Sequence, residues 1–129
     1  MKLVSVLLIQ LCLLACASAP QKILVGEWLH IEKGQDYEDA KTCVFESSGS
    51  FTCHITELGF SNGFGESHFH EISGKWVMNG NQLVLNYSYS YKPEQQEELN
   101  YIIVESSSSM MLLGKADGVI EHWKRSSGI

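Results

Sequence analysis

Two cysteines ten positions apart flank a polar turn in the segment "TCVFESSGSFTC", residues 42–53. In an antiparallel hairpin that turns about Ser48, Cys43 faces Cys53 directly. Opposed residues of this kind have the Cα separation that a disulfide requires. The spacing differs from a Cys-x-x-Cys redox pair, and a zinc site would need thiolates, which an oxidising compartment disfavours. We therefore expect a structural disulfide between Cys43 and Cys53 that joins two neighbouring strands.

Strand patterns separated by turn residues recur along the chain, and no run of ten or more residues has good helical periodicity. The clearest strand is "QLVLNYSYSY", residues 82–91, and the turn Asn79-Gly80-Asn81 precedes it. Eight strand-like segments follow one another: "VGEWLHIEK", "KTCVFE", "SFTCHIT", "HFHEISGKWVM", "QLVLNYSYSY", "LNYIIVES", "MMLLG" and "GVIEHWKR". Sequential strands with short turns predict an all-β fold, an antiparallel up-and-down barrel of about eight strands over residues 25–125.

Three segments interrupt this rhythm and are predicted to lie outside the strands. Residues 34–40, "GQDYEDA", are expected to form an acidic loop or a single helical turn. Residues 58–67 contain glycines and aromatic residues and are expected to form a long loop. Residues 92–98, "KPEQQEE", are predicted to be a charged turn because they contain Pro93 and lack apolar alternation.

The N-terminal segment has the pattern of an export signal. Residues 1–15 combine a lysine with an apolar run that is too short to span a bilayer comfortably, and small residues follow directly. The sequence Leu-Leu-Ala-Cys at residues 13–16 resembles the bacterial lipobox, which implies lipid attachment to Cys16. A second possible cleavage site lies near residues 17–19, where Ala-x-Ala occurs, and would imply plain secretion. Residues 16–24 would then be a short tether, with the protein exported to the periplasm or cell envelope.

The charge of the chain argues against nucleic acid as a partner. Its formal net charge is −6 at pH 7, and removal of residues 1–15 would leave eight basic and 15 acidic residues, a charge of −7. Nucleic-acid binding proteins need a basic surface, and the only adjacent basic pair is Lys124-Arg125. The expected partners are a small lipophilic ligand or an envelope protein, together with the membrane surface if Cys16 is acylated.

Several short motifs are similar to those of lipocalins and other calycin barrels. Gly26-Glu27-Trp28 resembles the Gly-x-Trp near the start of lipocalins, and the segments "GSF" and "SGKWVMNGNQLVL" resemble strands of small bacterial lipocalin-like domains. The resemblance covers residues 25–125 and implies that Trp28 closes one end of the barrel. It also implies that a basic residue of the last strand, Lys124 or Arg125, packs over this tryptophan. The long first loop and the C-terminal helix of a typical lipocalin are not identifiable here.

Aromatic residues are the main candidates for a binding site. Tyr87, Tyr89 and Tyr101, together with Trp76, are expected to line a cup near one end of the barrel. Leu83 and Leu85 precede the tyrosines in the same strand and would lie deeper in the interior. The alternative is that these aromatic residues are ordinary core packing.

Two further surfaces are candidates for contacts. Phe60 and Phe64 lie in a glycine-bearing loop and are expected to contact a partner or to cover one end of the barrel. His68 and His70 lie on one face of a strand, as metal-binding pairs do, although exposed histidines on a barrel wall would give the same pattern. His54, in the preceding strand, is the third possible ligand, but it would face outward if the cysteines face inward.

No arrangement of residues predicts catalysis, and no cofactor motif is present. The serines do not form a Gly-x-Ser-x-Gly motif, and the carboxylates lie mostly in predicted turns. The leading hypothesis is a non-enzymatic envelope lipoprotein with a lipocalin-like barrel that binds a small apolar or amphipathic molecule. The alternative is a protein-interaction or inhibitor module with a filled barrel, and a lower alternative is metal binding through His68 and His70.

Overall fold

Eight β-strands make up most of residues 23–59 and 65–126, which are the residues that the computed structural model describes. The strands are β1 (Gly26–Lys33), β2 (Tyr37–Phe45), β3 (Ser50–Gly59), β4 (Glu66–Asn79), β5 (Gln82–Tyr89), β6 (Lys92–Ser106), β7 (Met110–Gly114) and β8 (Ile120–Arg125). Each strand pairs antiparallel with the next one, and β8 pairs with β1 to close the sheet. The prediction of an antiparallel up-and-down barrel of about eight strands is therefore confirmed.

The up-and-down topology gives the barrel two different ends. The β2–β3, β4–β5 and β6–β7 turns lie at one end, together with the start of β1 and the end of β8. We call this the closed end. The other connections, which leave β1, β3, β5 and β7, lie at the opposite end, which we call the mouth.

The disulfide between Cys43 and Cys53 forms as predicted. The two residues are directly opposed in the β2–β3 ladder, and their sulfurs are bonded. Both side chains are buried inside the barrel, so the alternate residues of β2 and β3 also face inward. The rings of Phe45 and Phe51 stack one layer closer to the closed end, with centroids 5.7 Å apart.

The closed half of the barrel is filled by large apolar side chains. The buried core includes Trp28, Phe45, Phe51, Trp76, Met78, Leu83, Leu85, Met111, Leu113 and Trp123. The free space among these side chains is only about 10 Å³. Since a single buried water needs about 10–15 Å³, this half of the barrel has essentially no room for a ligand.

Residues 92–98, predicted to be a turn, and the second half of the predicted loop 34–40 belong to strands, because they pair with neighbouring strands. β6 begins at Lys92, where it pairs with Tyr89, so the turn is formed by Ser90 and Tyr91. The polar residues of early β6 are mostly exposed, which explains the missing apolar alternation, and Pro93 is tolerated because it lies near the strand start at a register shift. Likewise, β2 begins at Tyr37 and includes part of the predicted acidic loop.

Gly74 allows β4 and β5 to approach closely in the middle of their ladder. It pairs with Tyr87, and a Cβ atom at this position would overlap the backbone carbonyl of Asn86. Glycine therefore permits a local approach of the two backbones that no other residue would allow. The long strand β4 crosses this point between the closed end and the mouth.

The junction that closes the barrel is short. β1 and β8 pair only through Trp28 with Arg125 and Leu29 with Lys124, near the closed end. Toward the mouth the two strands are linked by a side chain, because Nδ1 of His30 lies 2.9 Å from the carbonyl oxygen of His122. The barrel wall on this side of the mouth thus depends on side-chain contacts.

Candidate functional site

A polar cavity of about 240 Å³, open to solvent, lies at the mouth of the barrel, and we call it the cup. Its wall comes from β1, β2, β3, β5 and β8 and from Lys115, which directly follows β7. The residues that line it are His30, Glu32, Asp39, Ala40, Lys41, Ile55, Glu57, Tyr89, Lys115 and Glu121. The cup therefore combines charged groups of both signs with a small apolar and aromatic area.

Strand alternation explains why charged residues face the interior here. Lys41 and Asp39 continue the inward face of β2 beyond Cys43, and Glu57 continues that of β3 beyond Cys53. Asp39 and Glu57 are direct partners across the two strands. The interior of the barrel thus changes from apolar to charged as the strands approach the mouth and water.

Several carboxylates crowd one side of the cup. The pKa of Asp39 is raised above its ordinary value, first by burial and then by the negative charges of Glu57 and Glu32, while Lys41 acts in the opposite direction. Like charges in proximity make further negative charge unfavourable. This side of the cup therefore favours neutral or positively charged groups over anions.

Glu121 organises the opposite side of the cup. It is buried, and its Oε1 atom accepts hydrogen bonds from the Tyr101 hydroxyl and from Nε1 of Trp123, both at 3.1 Å. Nε2 of His30 lies 4.0 Å from the same oxygen, and Nζ of Lys115 lies 3.8 Å from Oε2. A buried carboxylate needs such partners to offset the loss of hydration, so these side chains hold one another in place.

Lys41 lies at the base of the cup. It borders both the filled interior and the cup, and its Nζ lies 5.6 Å from the centroid of the Trp123 ring. Burial lowers the pKa of Lys41, and this effect outweighs the opposing charges of Glu121, Glu32 and Asp39. The lysine is the deepest cationic side chain of the site and faces the space that a bound molecule would enter.

An aromatic cluster forms another part of the rim. The rings of Tyr87 and Tyr89 are 6.0 Å apart, and those of Tyr89 and Tyr91 are 5.3 Å apart. His70 packs against Tyr89 at 5.9 Å and lies 3.7 Å from a carboxylate oxygen of Glu57. Burial, the neighbouring Tyr89 and Glu97 together raise the pKa of Tyr87 to about 12, and burial is the largest cause. Burial also raises the pKa of Tyr89, so Tyr87 and Tyr89 remain neutral at physiological pH. The cluster offers ring surface and hydroxyl groups.

The structure separates the four residues predicted to line a ligand cup. Tyr89 lines the cup, and Tyr87 packs beside it. Tyr101 is buried below the cup, and its hydroxyl is used by Glu121. Trp76 lies near the closed end, where its ring meets Phe45 edge-on and its Nε1 donates to the carbonyl of Glu46. Trp76 therefore belongs to the filled half of the barrel and not to the cup.

The sequence predictions do not identify the main charged residues of the cup as inward-facing. Lys41 and Glu121 each occupy an inward position two residues from a buried residue, Cys43 and Trp123 respectively. Side chains two residues apart on a strand face the same way, so the positions of Cys43 and Trp123 would have placed Lys41 and Glu121 inside the barrel. Glu57 follows the same rule from Cys53, with Ile55 between them.

The closed end has the arrangement that the lipocalin-like motif implied for Trp28. The Arg125 guanidinium lies 4.3 Å from the centroid of the Trp28 ring. Arg125 also donates hydrogen bonds to the carbonyl oxygens of Ile23, Val25 and Ser108. Lys124, the other predicted residue, is exposed on the outer face. Arg125 is thus the basic residue that covers the tryptophan.

The predicted metal ligands do not assemble into a larger set. His68 is exposed, and His70 contacts Glu57 and the tyrosines described above. His54 is exposed on the opposite face of its strand. Within residues 23–59 and 65–126, no group of three or more His, Cys, Asp or Glu side chains is arranged to hold a metal ion.

Some predicted sites lie outside the described residues. These are the export signal, the lipidation site Cys16, and the loop residues Phe60 and Phe64. In the part of the chain that the structure describes, no helix has the length and apolar character needed to cross a membrane.

Comparison with known proteins does not assign a family. No protein-family model matches the chain, and no curated protein shows significant sequence similarity to it. The resemblance of the Gly-x-Trp strand to lipocalin-like domains therefore stays a prediction.

Proposed function

We propose that this protein is a non-enzymatic binding protein that holds a small amphipathic molecule in the cup. The observation that carries the proposal is a cavity of about 240 Å³ at the mouth, above an interior that is otherwise filled. Sites for drug-sized ligands have volumes of about 300–1,000 Å³, so this cup suits a more compact molecule. A long apolar chain would find no space in the closed half.

The lining of the cup supports a particular orientation and head-group chemistry. Ile55, Ala40 and Tyr89 offer a surface for an apolar or aromatic body, while the remaining lining residues are titratable. The carboxylates around Asp39 disfavour an anionic head group. A neutral polar or cationic head group is therefore the better match to this site.

A binding experiment with matched variants tests this function. The probes are 1-naphthol, 1-naphthylmethylamine and 1-naphthoate, which share a ring system and differ in head-group charge. Ile55→Trp places a large ring in the cup, and Thr56→Trp, on the outward face of the same strand, is the matched control. Isothermal titration calorimetry measures the affinity of each protein for each probe.

Saturable binding of the neutral and cationic probes is expected, with the carboxylate binding most weakly. Ile55→Trp should weaken binding by at least about tenfold, which is about 1.4 kcal/mol, while Thr56→Trp should bind like the wild type. Absence of saturable binding to the wild type, or equal binding by both variants, would contradict the proposal.

We further propose that the protein works outside the cytoplasm, as an envelope lipoprotein anchored through Cys16. The disulfide between Cys43 and Cys53 is consistent with an oxidising extracellular or periplasmic compartment. Intact-mass measurement of the protein purified from membranes tests the anchor. A mass that lacks residues 1–15 and includes acyl chains is expected, and Cys16→Ala should release the protein from the membrane fraction. A mature protein without acyl chains would instead indicate plain secretion.

A protein-interaction role is the second candidate function. It is favoured by an apolar row on the outer wall, where Ile102, Gly114 and Ile120 are aligned across β6, β7 and β8. Both isoleucines are about half exposed, as is Val104 nearby. Replacing Ile102 and Ile120 with glutamate should abolish capture of a protein partner while naphthol binding is retained. Loss of naphthol binding with unchanged capture would favour the cup instead.

A further inference from the structure

We propose that Lys41 forms a reversible imine with small aldehydes that enter the cup. This covalent step goes beyond the non-covalent binding proposed above, although it depends on the same cavity. The substrates are compact neutral aldehydes, and the nucleophile is a single atom, Nζ of Lys41.

The position of Lys41 supports this role. Its side chain passes between the filled interior and the cup, so that its amino group is approached from the mouth. Among the described residues, no carboxylate oxygen lies within 4.0 Å of this nitrogen. By contrast, Lys33 and Lys115 each have an acidic partner at 3.8–3.9 Å, and Lys75 donates to Ser50. Lys41 is thus held inside the barrel and forms no ion pair with a carboxylate of the described residues.

The surroundings of Lys41 favour its neutral, nucleophilic form. Burial is the largest influence and lowers the pKa of Lys41, and the positive charge of Lys115 acts in the same direction. The carboxylates of Glu121, Glu32 and Asp39 oppose this shift without reversing it. His30 from β1 and Glu57 from β3 complete the titratable groups that face the cup. A lowered pKa increases the fraction of free amine at neutral pH, as in other lysines that react with carbonyl groups.

The proposed step is balanced without any oxidant or reductant. The neutral amine of Lys41 attacks the aldehyde carbon, and a proton moves from nitrogen to oxygen to give a carbinolamine. Protonation of its hydroxyl group and loss of water then form the C=N bond, so that an amine and an aldehyde give an imine and one water. The carboxyl group of Asp39, whose pKa is raised, faces the same cavity and is suited to transfer the proton to the leaving hydroxyl.

Reductive trapping on the wild-type protein tests the inference directly. The oxidised full chain is incubated at pH 7 with salicylaldehyde and sodium cyanoborohydride, and peptide mass spectrometry follows the modification of each lysine over time. Lys41 should be modified several-fold faster than the exposed Lys75 and Lys92, although it is far less accessible. Equal or slower modification of Lys41 would overturn the inference.

Variants assign the fast reaction to this residue. Lys41→Arg should remove the fast phase, Lys75→Arg should leave it unchanged, and Ile55→Trp should slow it by blocking the cup. The wild-type labelling pattern remains decisive even if Lys41→Arg does not fold.

Parallel titration with 1-naphthol separates this inference from the proposed function. Binding of naphthol without preferential labelling of Lys41 overturns the imine and leaves the binding function supported. Preferential labelling without naphthol binding supports the imine and contradicts the general amphiphile site. Absence of both results overturns both proposals.

Discussion

Replacement of Arg125 by methionine should destabilise the barrel at its closed end. The guanidinium donates to three carbonyl oxygens, those of Ile23, Val25 and Ser108, and lies over the ring of Trp28. Hydrogen bonds from charged groups contribute about 1.5–3 kcal/mol each when buried, and here only the bond to Val25 is partly buried. With a cation–π contribution of about 0.5–1 kcal/mol, the expected loss is about 2–4 kcal/mol. Methionine keeps most of the side-chain stem, so the change tests the polar contacts rather than packing.

Urea unfolding followed by tryptophan fluorescence measures this effect on the oxidised protein. The matched control is Lys124→Met, because Lys124 is the exposed neighbour on the same strand and should change stability by less than about 0.5 kcal/mol. Arg125→Lys keeps the charge but cannot reach three carbonyls at once, so it should fall between wild type and Arg125→Met. A loss below about 1 kcal/mol for Arg125→Met, or equal losses at positions 124 and 125, would refute this explanation of closure.

Three further changes test other parts of the barrel. Gly74→Ala should destabilise the protein by about 2–4 kcal/mol in urea unfolding because its Cβ would overlap the β5 backbone, whereas Gly59→Ala, with open space around it, should be nearly neutral. The double change of Cys43 and Cys53 to alanine should cost about 2–3 kcal/mol by removing a cross-link over a separation of 10 residues, and a smaller loss would show that the hairpin is already ordered when unfolded. The pKa of Tyr87 rises on folding from 10.0 to about 12, so its contribution to stability is complete below pH 10 and is lost as pH rises toward 12. Tyr87→Phe should therefore make stability fall less steeply between pH 10 and 12, and an unchanged slope would contradict the shift.

The parts of the fold that were predictable from sequence are those defined by local geometry. The Cys43–Cys53 pairing follows from the symmetry of one hairpin, and the turn at Gly80 follows from the tolerance of glycine for positive φ, here 64°. The start of β6 at Lys92 was not predictable in this way. Its polar residues have no apolar alternation, and the strand starts at Lys92 because Lys92 and Glu97 pair with Tyr89 and Tyr87 of β5. Such pairing is a tertiary effect that a local pattern does not contain.

The sequence predicts which aromatic side chains of the site face inward, but it does not predict how far along the barrel axis each one lies. Tyr87 and Tyr89 were expected near one end because Leu83 and Leu85 precede them, and this order agrees with their place at the mouth. Trp76 faces inward as well, yet it lies near the β2–β3 turn at the closed end. The height of a residue inside a barrel depends on the stagger of the strands around it, which one strand's sequence does not reveal.

The short junction between β1 and β8 links the stability of the fold to the integrity of the cup. Beyond Leu29 and Lys124 these strands form no ladder, and the wall is held by His30 and by the contacts of Glu121. Glu121 also anchors Trp123, whose ring lies below the amino group of Lys41. A change at Glu121 should therefore alter stability and the cup together, because the same hydrogen bonds support both. Tyr89, which lines the cup from the opposite wall, has no such structural hydrogen bond among the described residues. Substitutions there should change ligand preference with little effect on folding, so the two walls of the cup are expected to tolerate change very differently.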